Sequence, residues 1–195
     1  MRKRRNTFRN VVLSWAVLGA VTFTAGIGVG IGIAGNATAE RPVYGQMDRE
    51  FVAMNVPMDV NLQKHVYDMA KIYHLDYSFL MAVIKQESEF ETYAVSDAGD
   101  YGLMQINQIN HPSLSVTLGI HDFLDPYSNI RAGAYMLSEL FDKYHDPHKV
   151  LMCYQMGESG AAEAWEAGIT ETGYSRSVLR VQKELERQLN PRLLG

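Results

Sequence analysis

A single cysteine, Cys153, occurs in the 195 residues, so no internal disulfide is available and the fold must be held by its core. Its neighbours Val150, Leu151 and Tyr154 mark it as a small buried residue, and no electropositive partner that would make it a nucleophile is evident. Outside one N-terminal apolar run there is no credible strand run, repeat or low-complexity tract, which excludes sheet-based and repeat architectures. Acidic residues are missing before Glu40, where the only charges are Arg2, Lys3, Arg4, Arg5 and Arg9. The remainder carries 13 bases against 22 acids, a net charge of −9. An acidic body of that kind argues against a nucleic-acid partner, because phosphate binding needs a basic face.

Several chemistries lack their required pattern. His145-Asp-Pro-His148 has no matching ligand set elsewhere and reads as a turn and helix cap. Gly157-Glu-Ser-Gly160 lacks the final glycine and preceding strand of a nucleophile elbow. Asp97, Asp100 and Asp122 do not have calcium-loop spacing. The glycines at 26, 28, 30 and 32 follow no strand and are not a nucleotide loop, although their spacing suits helix-on-helix packing. Neither a metal nor a cofactor is expected.

What is present starts with an apolar run over 11–34, long enough to cross a bilayer, behind the basic tip. The positive-inside rule then places everything after Ala39 on the outer side of the membrane. Ala37-Thr38-Ala39 has the form of a signal-peptidase site, while the length of the run suits a retained anchor, so both fates stand. Three segments are expected: 1–39 as basic tip and transmembrane or signal helix, 40–57 as a linker, and 58–195 as the folded domain. Within the domain, Asp59 caps a helix with Leu62, Val66, Met69, Ala70 and Tyr73 inward; Asp76 caps a second with Phe79, Leu80, Val83 and Ile84 inward. Asp125-Pro126 opens a long helix with Tyr127, Ile130, Ala134, Leu137, Leu140 and Phe141 inward. Gly133 within it suggests a close helix contact. Helices over about 148–156, from about 159 to Gly168 and over about 173–189 follow, and 96–110 reads as a structured loop. The body is all-α.

Glu87 is the most informative residue. It lies four residues after Val83 and three after Ile84, on the apolar side of the last turn of its helix. Burial and the negative end of the helix dipole both disfavour its ionised form, so it can hold a proton near neutrality and act as a general acid. A solvated glutamate at a fraying helix end has the same spacing; Glu89 and Glu91, off the stripe, read as surface charges.

Glu87-Ser88, then Gly102-Leu-Met-Gln-Ile106, then Asn129-Ile130 with Gly133 and Tyr135, then Tyr154-Gln-Met-Gly157 resemble, in order and spacing, the soluble lytic transglycosylase (SLT) domains of the lysozyme-like superfamily. The resemblance covers roughly 60–179. It implies a lysozyme-like helical fold that cleaves the β-1,4 bond between N-acetylmuramic acid and N-acetylglucosamine in peptidoglycan, leaving a 1,6-anhydro sugar. It further implies that Glu87 is the acid and then the base, and that Ser88 helps orient it. Gly102, Leu103, Met104, Gln105 and Ile106 would line the groove, with Gln105 bonding sugar and Met104 packing on it. Tyr154 would reach toward the acid, Gln155 stands where the family usually has Asn, and Tyr174 matches a late aromatic position near the groove. A hydrolytic muramidase and a non-catalytic wall-binding module on the same fold are the alternatives. The expected partners are peptidoglycan strands, the cytoplasmic membrane through the N-terminal helix, and an assembly that passes through the wall.

Overall fold

The computed structural model describes residues 50–189. The expected transmembrane or signal segment lies outside them; among the described residues no helix is long and apolar enough to cross a membrane. Six α-helices of the described residues surround one core: α1 (Val60–Ile72), α2 (Tyr77–Ser88), α3 (His111–Leu118), α4 (Pro126–Tyr144), α5 (Pro147–Glu166) and α6 (Gly173–Leu189). Asp59, Asp76 and Asp125 cap their helices as expected, each side-chain oxygen accepting from a backbone N–H two or three residues further on. Helix α5 is interrupted at Gly157 (φ 74°, ψ 162°), where the sequence predicts one helix to end and another to begin shortly after.

Several features differ from expectation. The stripe predicted for α2 is too narrow: Met81 and Ala82 are as fully buried as Phe79 and Val83, because α1 and α6 pack around a central helix. Tyr127, expected inward, is exposed on the first turn of α4 and meets the edge of the His65 ring. Within the loop, two-residue strands β1 (Asp100–Tyr101) and β2 (Ile106–Asn107) pair antiparallel, so the body is helical with one small hairpin. Helix α3 has no counterpart among the predicted helices. The linker also docks before residue 58: Met54 is buried, Gln63 bonds both its N–H and its carbonyl, and Phe51 packs on Tyr67 and Tyr77.

Candidate active site

Glu87 occupies the last turn of α2, and the chain leaves that helix abruptly. Glu89 and Phe90 both adopt left-handed backbone conformations (φ 51° and 67°), which cost non-glycine residues on the order of 1–3 kcal/mol each. Burial of the Phe90 ring and the Glu91 N–H to Ser88 carbonyl bond hold this turn in place. The chain leaves α2 through this turn and continues toward the hairpin.

Glu87 retains partial solvent access, yet protein surrounds its carboxyl closely enough to lift its pKa from 4.5 to about 7. Desolvation is the main cause; the charge of Asp100 adds to it, and a hydrogen bond donated by the Tyr174 hydroxyl to Oε1 opposes both. Tyr174 is set by a reciprocal cap at the start of α6, in which the Thr172 N–H meets Ser175 Oγ at 3.0 Å and the Ser175 N–H meets Thr172 Oγ1 at 3.1 Å. His148 Nδ1 lies 2.9 Å from the same Ser175 oxygen, and its other ring nitrogen lies 3.7 Å from Glu171. Ser175 is fully buried, so this Ser-His-Glu grouping anchors α6 and offers no nucleophile.

The structure places the two tyrosines differently from expectation. The hydroxyl on the acid belongs to Tyr174; that of Tyr154 donates to the Met104 carbonyl at 2.9 Å. Tyr154 still lies near enough to Glu87 for the two to interact electrostatically, and burial pushes both tyrosine hydroxyls well above their ordinary pKa. The two phenols therefore serve as hydrogen-bond donors and do not ionise in the neutral range.

The 102–106 segment is built into the body. Leu103, Met104 and Ile106 are almost completely buried, so Met104 is a core residue and has no surface on which a sugar could pack. The reason lies in α4: a Cβ at Gly133 would overlap Met104 Sδ and come within 2.6 Å of its Cε, so the missing side chain admits the methionine. The close contact predicted at Gly133 is thus with this loop. Gly102 has φ 71°, and a Cβ there would come within 2.6 Å of Asn129 Nδ2. Gln105 directs its Nε2 to the carbonyls of Gly102 (2.8 Å) and Ala94 (3.3 Å), so its amide nitrogen holds the loop and is not free to bind sugar. Ser88 Oγ bonds back to the Ile84 carbonyl at 3.1 Å, and Gln155 is exposed on α5. Cys153 is 2% exposed and burial pushes its thiol up to about 11, which leaves it inert.

Asn129 has a role that its place in a motif did not reveal. Fully buried, it accepts from the Met104 N–H (2.8 Å) and donates to the carbonyls of Tyr101 (2.7 Å) and Phe123 (2.8 Å), tying the hairpin loop to α4. The available signal is an amide beside Ile130, next to the inward stripe of α4, since an unpaired amide there would be costly.

The described residues thus form a helical body with a desolvated carboxyl at the end of its central helix and one small hairpin. The fold matches an inactive mutant of the lytic transglycosylase Slt from Pseudomonas aeruginosa with a TM-score of 0.58 at 24% identity, covering 66% of this chain and 24% of that one. The 70 kDa soluble lytic transglycosylase from Escherichia coli matches at 0.54 and 20% identity, over 63% of this chain and 24% of that one. The transglycosylase SLT domain matches residues 66–172, more than half of the sequence, and the chain belongs to that family. A transglycosylase of Enterobacteria phage PRD1 is 34% identical over 89 residues, 46% of this chain and 32% of the phage protein. A membrane-bound lytic murein transglycosylase F of Pseudomonas fluorescens is 30% identical over 132 residues, 64% of this chain and 26% of the relative. The chain thus spans about a third or less of the length of these curated relatives.

Proposed function

We propose that this chain is a peptidoglycan lytic transglycosylase acting outside the cytoplasmic membrane, tethered or released through its N-terminal segment. The carrying observation is the Glu87 carboxyl, desolvated at the end of α2 and hydrogen-bonded on one oxygen by Tyr174. The family membership and the names of the relatives support the substrate.

In the proposed reaction, Glu87 gives its proton to the glycosidic oxygen as the bond from muramic C1 breaks, and the bonding electrons leave with the N-acetylglucosamine oxygen. The substrate's N-acetyl group stabilises the positive centre. Glu87, now a carboxylate, takes the proton of the muramic C6 hydroxyl while that oxygen closes on C1. The acid is regenerated, no water is consumed, and the product carries a 1,6-anhydro ring. One group serves both steps only if its proton affinity is intermediate, because a general acid and base works best with a pKa near the operating pH. Desolvation supplies the acid, and Tyr174 steadies the carboxylate that follows.

Tyr174→Phe removes the one contribution that lowers the Glu87 pKa. The alkaline limb of the kcat/KM profile is expected to move to higher pH while kcat falls by about tenfold to a hundredfold. A merely structural effect would lower the rate without moving the limb upward.

Mass spectrometry of muropeptides released from purified walls tests the reaction itself. Anhydromuramyl products are expected, each lighter by one water than its hydrolytic counterpart. Reducing-end products would establish a hydrolase, and walls left intact by the wild type would establish a binding module.

A further inference from the structure

Tyr174 stands in the first turn of α6, and Ser175 follows it fully buried. A hydroxyl has one proton and two acceptor positions. Ser175 Oγ accepts from the Thr172 N–H at 3.0 Å, and its other neighbours are His148 Nδ1 at 2.9 Å and the Thr172 carbonyl at 3.2 Å. That carbonyl already receives the Arg176 N–H at 3.1 Å. His148 is thus the partner that ties Ser175 to a second helix. It is itself placed by the first turn of α5, where Pro147 follows the cap Asp146 and the Asp146 carboxylate accepts from the Lys149 N–H at 2.9 Å. Glu171 stands 3.7 Å from His148 Nε2 and is held by Arg176 at 2.8 Å. A carboxylate there favours the tautomer with its proton on Nε2, which leaves Nδ1 to accept the Ser175 hydroxyl proton.

We propose that His148 is a positioning residue for the reaction: by bonding Ser175 it fixes the first turn of α6, and with it the Tyr174 hydroxyl on Glu87. This rests on the reading of Glu87 as the acid. The contacts run without a gap from His148 to Ser175, along one peptide unit to Tyr174, and from its hydroxyl to Glu87 Oε1. The buried apolar residues of α6, Val178, Val181 and Leu185, all lie further along the helix. Apolar burial is non-directional, so they hold α6 to the body without setting how its first turn is rotated. A hydrogen bond weakens steeply as its angle departs from linear, and a misplacement of about 1 Å can cost about a hundredfold in rate. His148 touches no substrate and acts only through Ser175 and Tyr174.

The test is a double-mutant cycle in the full-length chain, read by wall cleavage against pH and by the Glu87 carboxyl midpoint from 13C NMR. His148→Ala should lower kcat about threefold to tenfold and move the alkaline limb to higher pH, the direction expected of Tyr174→Phe. In a Tyr174→Phe background the same change should cost less than about twofold, because no hydroxyl is left to place. His148→Asn, whose amide can stand where Nδ1 does, should restore about half of the wild-type kcat or more. Equal losses in the two backgrounds overturn the proposal, since they mark a general loosening of α6. A loss in His148→Ala with the alkaline limb in place overturns it too. Should His148→Ala fail to fold, His148→Phe fills the space without the nitrogen and is held to the same outcomes. If the wild type cleaves no walls, the transglycosylase reading fails and the midpoint decides the positioning role. It should rise in His148→Ala and rise no further in the double variant than in Tyr174→Phe; a midpoint that stays at the wild-type value overturns the role.

Discussion

Glu87→Gln is expected to abolish wall lysis while making the fold more stable above neutral pH. Loss of a general acid costs about two to four orders of magnitude in rate, and more where the same group is also the base. The gain in stability follows from the raised pKa. Below about pH 4.5 the carboxyl is protonated in both folded and unfolded chains. Between 4.5 and about 7 the folded chain holds a proton that the unfolded chain has released, so wild-type stability falls as pH rises through this window and stays low above it. Glutamine does not titrate. Its advantage should therefore be absent at acid pH, grow across the window and level off above it. At about 1.4 kcal/mol per pH unit, discounted for partial solvent access, the plateau is on the order of 1–3 kcal/mol. Denaturant unfolding at pH 4 and pH 8, with wall binding as a control for the groove, checks both halves.

Asn129→Ala should be the most damaging single change outside the acid. It leaves the Met104 N–H and the carbonyls of Tyr101 and Phe123 buried without their partner. Unsatisfied buried groups cost about 1–3 kcal/mol each, and the vacated volume adds to that, so a loss of about 3–5 kcal/mol is expected in denaturant unfolding. The catalytic consequence should appear before global unfolding. Met104 supplies the carbonyl that receives the Tyr154 hydroxyl, and Gly102 approaches the Asn129 amide itself, so a released loop disturbs the wall facing Glu87. At temperatures where circular dichroism still reports a folded chain, kcat/KM for wall cleavage should already be reduced at least tenfold.

The parts legible in the sequence are those with local causes. Asp59, Asp76 and Asp125 cap the helices that their positions announce, and the Val83-Ile84-Glu87 spacing places one carboxyl on the buried side of α2. The parts that escaped depend on residues far apart in the chain. Met104 reads as a groove residue until Gly133, 29 positions later, is seen to leave room for it. The roles of Tyr154 and Tyr174 cannot be told apart by spacing, since the choice rests on where the cap at Thr172 and Ser175 sets α6. Strands of two residues have too few positions to show alternation, and α3 has only Leu114 buried, so it has no apolar stripe to read.

The most direct measurement is the midpoint of the Glu87 carboxyl in the wild-type chain, read by 13C NMR between pH 3 and pH 9. A midpoint near 7 is the expected result, that of a desolvated acid poised to give a proton and take one back. A midpoint between about 4 and 5, the value of a glutamate in open water, would contradict it.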